Sequence, residues 1–143
     1  MSQTESPSNV ASNRVLGRRF FEEQDRLRGG PAPNLCAASY EAHLGGNPPV
    51  DRAGHEAFAK AFYAAFDGIH HTIEDVFATE EHVGVRFVLN GTHTANFFGI
   101  PPTGATVRIV ANVILHVADG KVTKLFGIFD EAGMLRQMGI LPR

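Results

Sequence analysis

Asp75 is one of two titratable residues that the sequence places on an apolar strand row. It shares the parity of Ile73 and Phe77, and side chains of equal parity in a strand face the same side. Burial raises the pKa of a carboxyl group, so a carboxylate on such a face could act as a general base. The alternative is that Val76 and Ala78 form the inward row, which would leave Asp75 in solvent. Both orientations stay open at this point.

His93 is the second candidate for acid–base chemistry, since an imidazole titrates near neutral pH. It has the same parity as Val85, Phe87 and Leu89, so it extends an apolar row towards a loop at 94–104. A histidine there could contact a ligand, or it could hydrogen-bond the loop and order it. The pattern favours the second interpretation, but the first keeps His93 among the candidate catalytic residues.

Tyr40 and His43 are candidates for binding a ligand rather than for transferring protons. Both lie in 31–50, which has no clear period and which we expect to cover the mouth of a pocket. They could hydrogen-bond a ligand carbonyl or simply close the rim. His55 stands one helical turn before Phe58 on an apolar stripe, where a core histidine with satisfied hydrogen bonds is the usual outcome.

The remaining histidines and the single cysteine do not form a metal-binding pattern. His70 and His71 are adjacent in a predicted strand, so they point to opposite faces and cannot share an ion. No two histidines stand four residues apart on a predicted helix, and Cys36 has no partner at short spacing. We therefore expect neither a metal site nor an intrachain disulfide.

Two helices are predicted in the first half of the chain. The first spans 10–28 and carries apolar residues on one side: Leu16, Phe20 and Leu27. The second follows Asp51, which can cap its N-terminus, and ends near Gly68, which suits a left-handed C-cap. Its apolar stripe recurs at helical spacing: Phe58, Ala61, Phe62, Ala65 and Phe66.

Four strand patterns follow, at 71–79, 83–89, 107–117 and 122–129. Helices followed by consecutive strands, without an alternation of strand and helix, predict an α+β fold with an antiparallel sheet.

The last two strands are predicted to form a hairpin. A three-residue loop with Gly120 in the left-handed conformation would pair Val117 with Lys121. This arrangement groups the more apolar rows on one face: Ile109, Ala111, Val113 and Leu115 with Leu125, Gly127 and Phe129. A two-residue loop would turn one strand over relative to the other.

Composition and charge restrict the class of protein. A chain of 143 residues fits one domain, which we place at 10–143 after a flexible polar tail at 1–9. The net charge of −2 gives no electrostatic footprint for nucleic acid. No apolar run approaches the roughly 18 residues that span a bilayer, so no membrane partner is expected. The N-terminus lacks the pattern of a signal peptide, which predicts a cytoplasmic protein.

Several segments together resemble the SnoaL-like proteins, which include the polyketide ester cyclases of aromatic antibiotic pathways. The matching segments are Asn90-Gly91-Thr92-His93-Thr94, 98–104, Asp119-Gly120-Lys121, and Asp130 followed by 135–139. The resemblance implies the cone-shaped α+β barrel of nuclear transport factor 2 and ketosteroid isomerase. It also implies a homo-oligomer, a dimer or tetramer joined through the sheet, and chemistry that needs no cofactor.

The resemblance also implies where catalysis should occur. The characterised cyclases look to use an Asp on the last strand and a His on the preceding strand for an intramolecular aldol closure. In this sequence those positions fall on Gly127 and Val113, which carry no titratable group. Asp130 matches the family, but it stands directly before the last helix, and a helix cap is the explanation that we favour for it. We expect the pocket wall to consist of apolar residues: Phe58, Phe62, Phe87, Val113 and Gly127.

Two functions remain in view. The first is cofactor-free proton transfer on a small, largely apolar carbonyl compound, as ring closure or isomerisation, with Tyr40, Asp75 and His93 as residues to test. The alternative is a protein that binds or carries a hydrophobic, polyketide-like small molecule without chemistry. The missing Asp and His at Gly127 and Val113 favour this alternative.

Overall fold

Three α-helices and five strands are formed by residues 7–142, the part of the chain that the computed structural model describes. The helices are α1 (Pro7–Leu27), α2 (Arg52–Ala65) and α3 (Glu131–Gln137). The strands are β1 (Cys36–Leu44), β2 (Phe66–Ala78), β3 (His82–His93), β4 (Thr106–Ala118) and β5 (Lys121–Phe129). None of the helices described is long and apolar enough to cross a membrane.

The strands form one curved sheet in the order β1-β5-β4-β3-β2. All neighbouring pairs are antiparallel except β1 and β5, which run parallel, so the sheet is mixed rather than purely antiparallel. The predicted α+β class is confirmed. The prediction that 31–50 is irregular is wrong, because β1 occupies 36–44. That strand is rich in alanine and pairs with a segment about 80 positions away, so local propensity gives little sign of it.

The turn between β4 and β5 differs from the predicted one. Asp119 and Gly120 both have positive φ (51° and 72°), which makes a two-residue type I′ turn. The shorter loop alone would turn β5 over relative to β4. A bulge at Thr123 adds one residue to β5 and restores the predicted orientation of its side chains. Val113 therefore pairs with Gly127, and the predicted grouping of the two apolar rows is retained.

Helix α1 packs on the sheet through one face. Its buried side chains include Leu16, Phe20 and Phe21, and the next turn buries Gln24. Leu27 is 44% exposed, so its predicted position on the buried side is wrong. The helix starts at Pro7, inside the predicted tail; residues 1–6 of that tail lie outside the described residues.

Helix α2 begins as predicted and ends differently. The Asp51 side chain accepts a hydrogen bond from the backbone N–H of Gly54 (2.8 Å), which satisfies a free donor of the first turn. Gly68 does not cap the helix, because the chain passes directly into β2 at Phe66 with an extended backbone. Gly68 (φ 69°) lies instead where the pairing of β2 with β3 shifts. At the other end of the sheet Asp130 caps α3 through the N–H of Gly133 (2.9 Å).

The close approach of α1 to β3 depends on Gly17. A Cβ atom there would lie 2.6 Å from Cγ1 of Val83, which is shorter than a carbon–carbon contact allows. We expect Gly17→Leu to lower the free energy of unfolding in urea by about 1–3 kcal/mol, because overpacking forces the helix and strand apart. Gly46→Ala is the matched control, since nothing lies within 4 Å of the added Cβ. Equal stability of the two variants would contradict this account of the packing.

Candidate functional site

An apolar cavity lies between the inner face of the sheet and the helices α1 and α2. The space between its wall atoms, together with the solvent at its open mouth, amounts to about 680 Å³. The residues proposed from the sequence as pocket walls all lie along it: Phe58, Phe62, Phe87, Val113 and Gly127. Polar side chains also reach the wall: Gln24, His55, Tyr63 and His71. The cavity can therefore surround a small apolar ligand and offer it a few hydrogen bonds.

His71 is held in the wall by Asp25 of α1. Nδ1 of His71 lies 2.8 Å from Oδ1 of Asp25, and the backbone N–H of His71 donates to Oδ2 (2.9 Å). The hydroxyl of Tyr63 donates to Oδ1 of the same carboxylate (2.6 Å). The carboxylate therefore fixes both the backbone and the ring of His71.

These contacts decide where the proton of the neutral His71 ring resides. A carboxylate only accepts hydrogen bonds, so Nδ1 carries the proton and Nε2 keeps its lone pair. The described residues supply no hydrogen-bond partner to that Nε2. Burial alone would raise the pKa of Asp25, but hydrogen bonds from His71 and Tyr63 and the charge of His71 outweigh it and lower that pKa. In the neutral form of its ring, His71 therefore presents an unprotonated Nε2 while Nδ1 donates to the Asp25 carboxylate, which is the arrangement that a general base needs.

His55 is the second histidine of the wall, and its partner is Tyr40. The Tyr40 hydroxyl lies 2.8 Å from Nδ1 of His55, and the two rings are nearly parallel at 6.0 Å. Burial raises the pKa of Tyr40, and it lowers the pKa of His55 to about 4, an effect to which nearby His71 adds. Both groups are uncharged at neutral pH, and the described residues offer the buried Tyr40 hydroxyl no other acceptor. Donation from the hydroxyl to Nδ1 is therefore the arrangement that leaves no hydroxyl proton unpaired, and it places the His55 proton on Nε2. His55 therefore presents a donor where His71 presents an acceptor.

The lowered pKa of His55 predicts a loss of stability in mild acid. An unfolded histidine titrates near 6.5, so between about pH 6.5 and 4 the unfolded chain binds a proton that the folded chain does not. The free energy of unfolding should fall as the pH drops through this window, by about 3 kcal/mol from this group. Urea denaturation at a series of pH values would measure it in the wild type and in His55→Phe. The variant should lose this part of the pH dependence; an unchanged slope would contradict the assignment.

Asp75 is exposed, which decides between the two orientations that the sequence left open and removes Asp75 as a candidate base in the cavity. His71 and Ile73 face inward in β2, but the pairing with β3 shifts between Ile73 and Asp75. The extra residue exchanges the two rows, and Val76 then packs against the core. The structure therefore shows the alternative orientation, in which Val76 faces inward and Asp75 faces solvent.

His93 is fully buried but lies outside the cavity wall. Its Nδ1 accepts a hydrogen bond from the backbone N–H of Thr103 (3.1 Å) and lies 2.9 Å from the Thr103 hydroxyl. Its backbone N–H donates to the carbonyl oxygen of Ala105 (2.8 Å). His93 therefore holds the loop at 94–104 in place, and it does not face a ligand in the cavity.

Tyr40 and His43 do not cover the mouth of the cavity, because both belong to strand β1. Tyr40 is buried behind His55 and reaches a ligand only through that histidine. His43 lies on the other face of the sheet, where its ring stacks on Phe126 (4.4 Å) and its Nε2 lies 2.6 Å from Oε1 of Glu41. The prediction that His43 binds the ligand is therefore wrong for this cavity.

The sequence did not single out Asp25, Tyr63 or His71 for acid–base chemistry. Asp25 and His71 are 46 positions apart, and spacing along one element does not reveal a contact between two elements. The one local signal is that His71 shares the parity of Ile73, which points to the core. Among residues 7–142, no three His, Cys, Asp or Glu side chains form a group that could hold a metal ion.

Solved structures resemble this fold over nearly its full length. AclR from Streptomyces galilaeus, a proposed hydroxylase, is 21% identical with a TM-score of 0.83, over 94% of this chain and 89% of AclR. A proposed SnoaL-like polyketide cyclase from Jannaschia sp. CCS1 is 21% identical with a TM-score of 0.80, over 99% of this chain and 100% of the other. IdmH from Streptomyces antibioticus, a proposed polyketide cyclase, is 27% identical with a TM-score of 0.72, over 90% of this chain and 97% of IdmH. The expected fold, which is like that of ketosteroid isomerase, is confirmed.

A family model identifies the protein family to which the chain belongs. No curated protein sequence matches the chain. The family model of the SnoaL-like polyketide cyclases matches residues 17–138, which include α2, α3, all five strands and the second half of α1. The chain therefore belongs to the SnoaL-like polyketide cyclase family.

Proposed function

We propose that this protein catalyses a cofactor-free proton transfer on a small, largely apolar carbonyl compound, with His71 as the general base. The observation that carries the proposal is the pairing of His71 with Asp25 in the wall of an apolar cavity. The proposed cyclase role of IdmH, at 27% identity, supports the same class of chemistry. The reaction would be an intramolecular aldol ring closure or an isomerisation.

The first step follows from the protonation states of the two histidines. Nε2 of His71 takes a proton from the carbon next to the ligand's carbonyl group, and the C–H electron pair moves into the C–C–O system to give an enolate. The imidazolium that forms lies 2.8 Å from the Asp25 carboxylate, which stabilises its charge.

The second step returns the proton and leaves the enzyme unchanged. In an isomerisation, His71 gives the proton back to a different carbon of the same conjugated system. In a ring closure, the enolate carbon attacks a second carbonyl carbon of the ligand, and the proton goes to the alkoxide oxygen that results. The apolar wall limits the entry of water, so that charges inside the cavity interact more strongly than in bulk solvent.

The positions of Gly127 and Val113 distinguish this site from the one that the family resemblance implies. Both face the cavity, and neither can transfer a proton. The base would instead come from the opposite wall, where β2 and α1 meet. If that wall is only structural, the protein binds or carries a hydrophobic small molecule without changing it.

Solvent exchange tests the proposal without knowledge of the natural substrate. Cyclic ketones of one or two rings, such as 1-indanone, are incubated with the protein in heavy water, and proton NMR follows the loss of the signal next to the carbonyl. We expect exchange faster than in buffer alone. Binding of these ketones without accelerated exchange would contradict the catalytic proposal and support the carrier alternative.

A further inference from the structure

We infer that Gln24 and His55 form an oxygen-binding site inside the cavity, so that it selects an uncharged ligand whose carbonyl oxygen accepts hydrogen bonds from both side chains. This inference rests on the proposed function, because it assumes that the ligand occupies the same cavity as His71. It names two residues that position the ligand and a chemical feature that the ligand must carry.

Gln24 has a buried donor that the protein itself leaves unused. Its side chain lies in the cavity wall and is 3% exposed, yet its Nε2 has no hydrogen-bond partner among the described residues. An unpaired amide N–H in an apolar surrounding is unfavourable, and few such groups occur in folded proteins. The nitrogen has less than 1 Å² of accessible surface, so a small turn of the amide towards the cavity would bring this donor to a ligand oxygen.

The surrounding chain restricts where the Gln24 side chain can go. Gln24 follows Phe20 and Phe21 by about one turn on the buried face of α1, and its neighbour Asp25 is bound to His71. A Cβ placed on Gly30 would lie 3.1 Å from Cγ of Gln24, so the backbone after the helix packs closely against this side chain. The amide is therefore held in the cavity wall rather than free to turn towards solvent.

His55 supplies the second donor from α2. Its Nδ1 is occupied by the Tyr40 hydroxyl, so Nε2 carries the proton, and the described residues offer that N–H no acceptor. Burial keeps the ring neutral by lowering its pKa to about 4. His55 is thus a neutral donor, in contrast to His71 in the same wall.

The charges around the cavity favour a neutral ligand over an anion. No Lys or Arg side chain lines the cavity within the described part of the chain. The Asp25 carboxylate lies behind His71 and repels a second negative charge, whereas Arg28, 5.6 Å from the Tyr63 ring, does not itself line the cavity. A ligand carboxylate would lose its hydration and gain no Lys or Arg partner among the lining residues, and the Asp25 carboxylate already pairs with His71.

Three probes of similar shape test the inference: 1-indanone, indane and 1-indanecarboxylate. Chemical-shift titration by NMR measures their dissociation constants for the wild type and for Gln24→Leu, each checked for folding by circular dichroism. We expect the ketone to bind wild type about tenfold more tightly than indane and than the carboxylate, and Gln24→Leu to reduce that preference to about threefold or less. Gln24→Met, which keeps the length of the side chain, replaces Gln24→Leu if the latter does not fold.

Four results would overturn the inference. They are equal binding of 1-indanone and indane, tight binding of the carboxylate, no binding of the ketone, and an unchanged preference for the ketone in the Gln24 variants. The result is also separate from that of the exchange experiment. A preference for the ketone without accelerated exchange would support the oxygen site and refute proton transfer. Accelerated exchange without a preference for the ketone would support proton transfer and refute the oxygen site.

Discussion

Replacing His71 by glutamine should lower the enzyme-catalysed exchange of ketone protons by roughly 10²–10⁴-fold, the usual contribution of a positioned general base. The glutamine amide can still donate to the Asp25 carboxylate, so the contact between β2 and α1 is kept. It has no nitrogen lone pair that accepts a proton at neutral pH. The rate of deuterium incorporation at saturating 1-indanone, measured by proton NMR, reports this loss separately from any change in binding.

The neighbouring histidine provides a matched control. His70 is exposed on the other face of β2, and its Nδ1 lies 2.9 Å from the carbonyl oxygen of Gly68. His70→Gln removes one imidazole from the same strand without touching the cavity, so we expect an exchange rate within about threefold of wild type, as for a surface substitution. Wild-type exchange in His71→Gln, or an equal loss in both variants, would show that His71 is not the base.

Replacing Asp25 by leucine should cause a large loss of stability. The carboxylate accepts three hydrogen bonds, from the backbone and the ring of His71 and from the hydroxyl of Tyr63. Leucine would leave these donors unpaired in a partly buried position, and we expect the free energy of unfolding in urea to fall by about 3 kcal/mol. Asp67→Leu is the control, since Asp67 is exposed in the same strand as His71.

The pH dependence of the Asp25 variant adds a second criterion. The pKa of Asp25 is lowered in the folded protein. The ionised carboxylate therefore adds to the free energy of unfolding above the ordinary aspartate pKa of about 4, and this contribution is lost as the pH falls below it. The stability difference between wild type and Asp25→Leu should therefore be smaller at about pH 3 than at about pH 7. A difference that does not change with pH would contradict the role given to the carboxylate.

The sequence predicted most of the elements that surround the cavity but few of the residues that could transfer protons in it. Helical spacing and strand alternation depend on neighbours within one element, so they placed Phe62, Phe87 and Val113 on inward rows without knowledge of the fold. The face shared by Val113 and Gly127 was also correct, although the turn was not. A compensating bulge at Thr123 preserved the pairing of the rows.

The errors in the candidate site come from irregular strand pairing and from contacts between elements far apart in the sequence. The bulge after Ile73 places Asp75 on the surface rather than in the interior. No residue type in that stretch predicts a bulge. Strand β1 depends on its parallel partner β5 for its conformation, which is why Tyr40 and His43 were assigned to a loop. The contact between His71 and Asp25 joins a strand to a helix, and only the folded chain brings them together.

Nitrogen-15 NMR of the His71 ring determines whether its Nε2 is an unprotonated acceptor that faces the ligand. In protein labelled with nitrogen-15, the two ring nitrogens couple to the carbon-bound ring protons. The pattern of these couplings, together with the nitrogen chemical shifts, shows which nitrogen carries the proton. We predict that the neutral His71 ring carries its proton on Nδ1 and none on Nε2, and that the Nε2 signal shifts when 1-indanone is added. A neutral ring with its proton on Nε2, or an Nε2 signal that a bound ketone leaves unchanged, would contradict the proposal that His71 is a base facing the ligand.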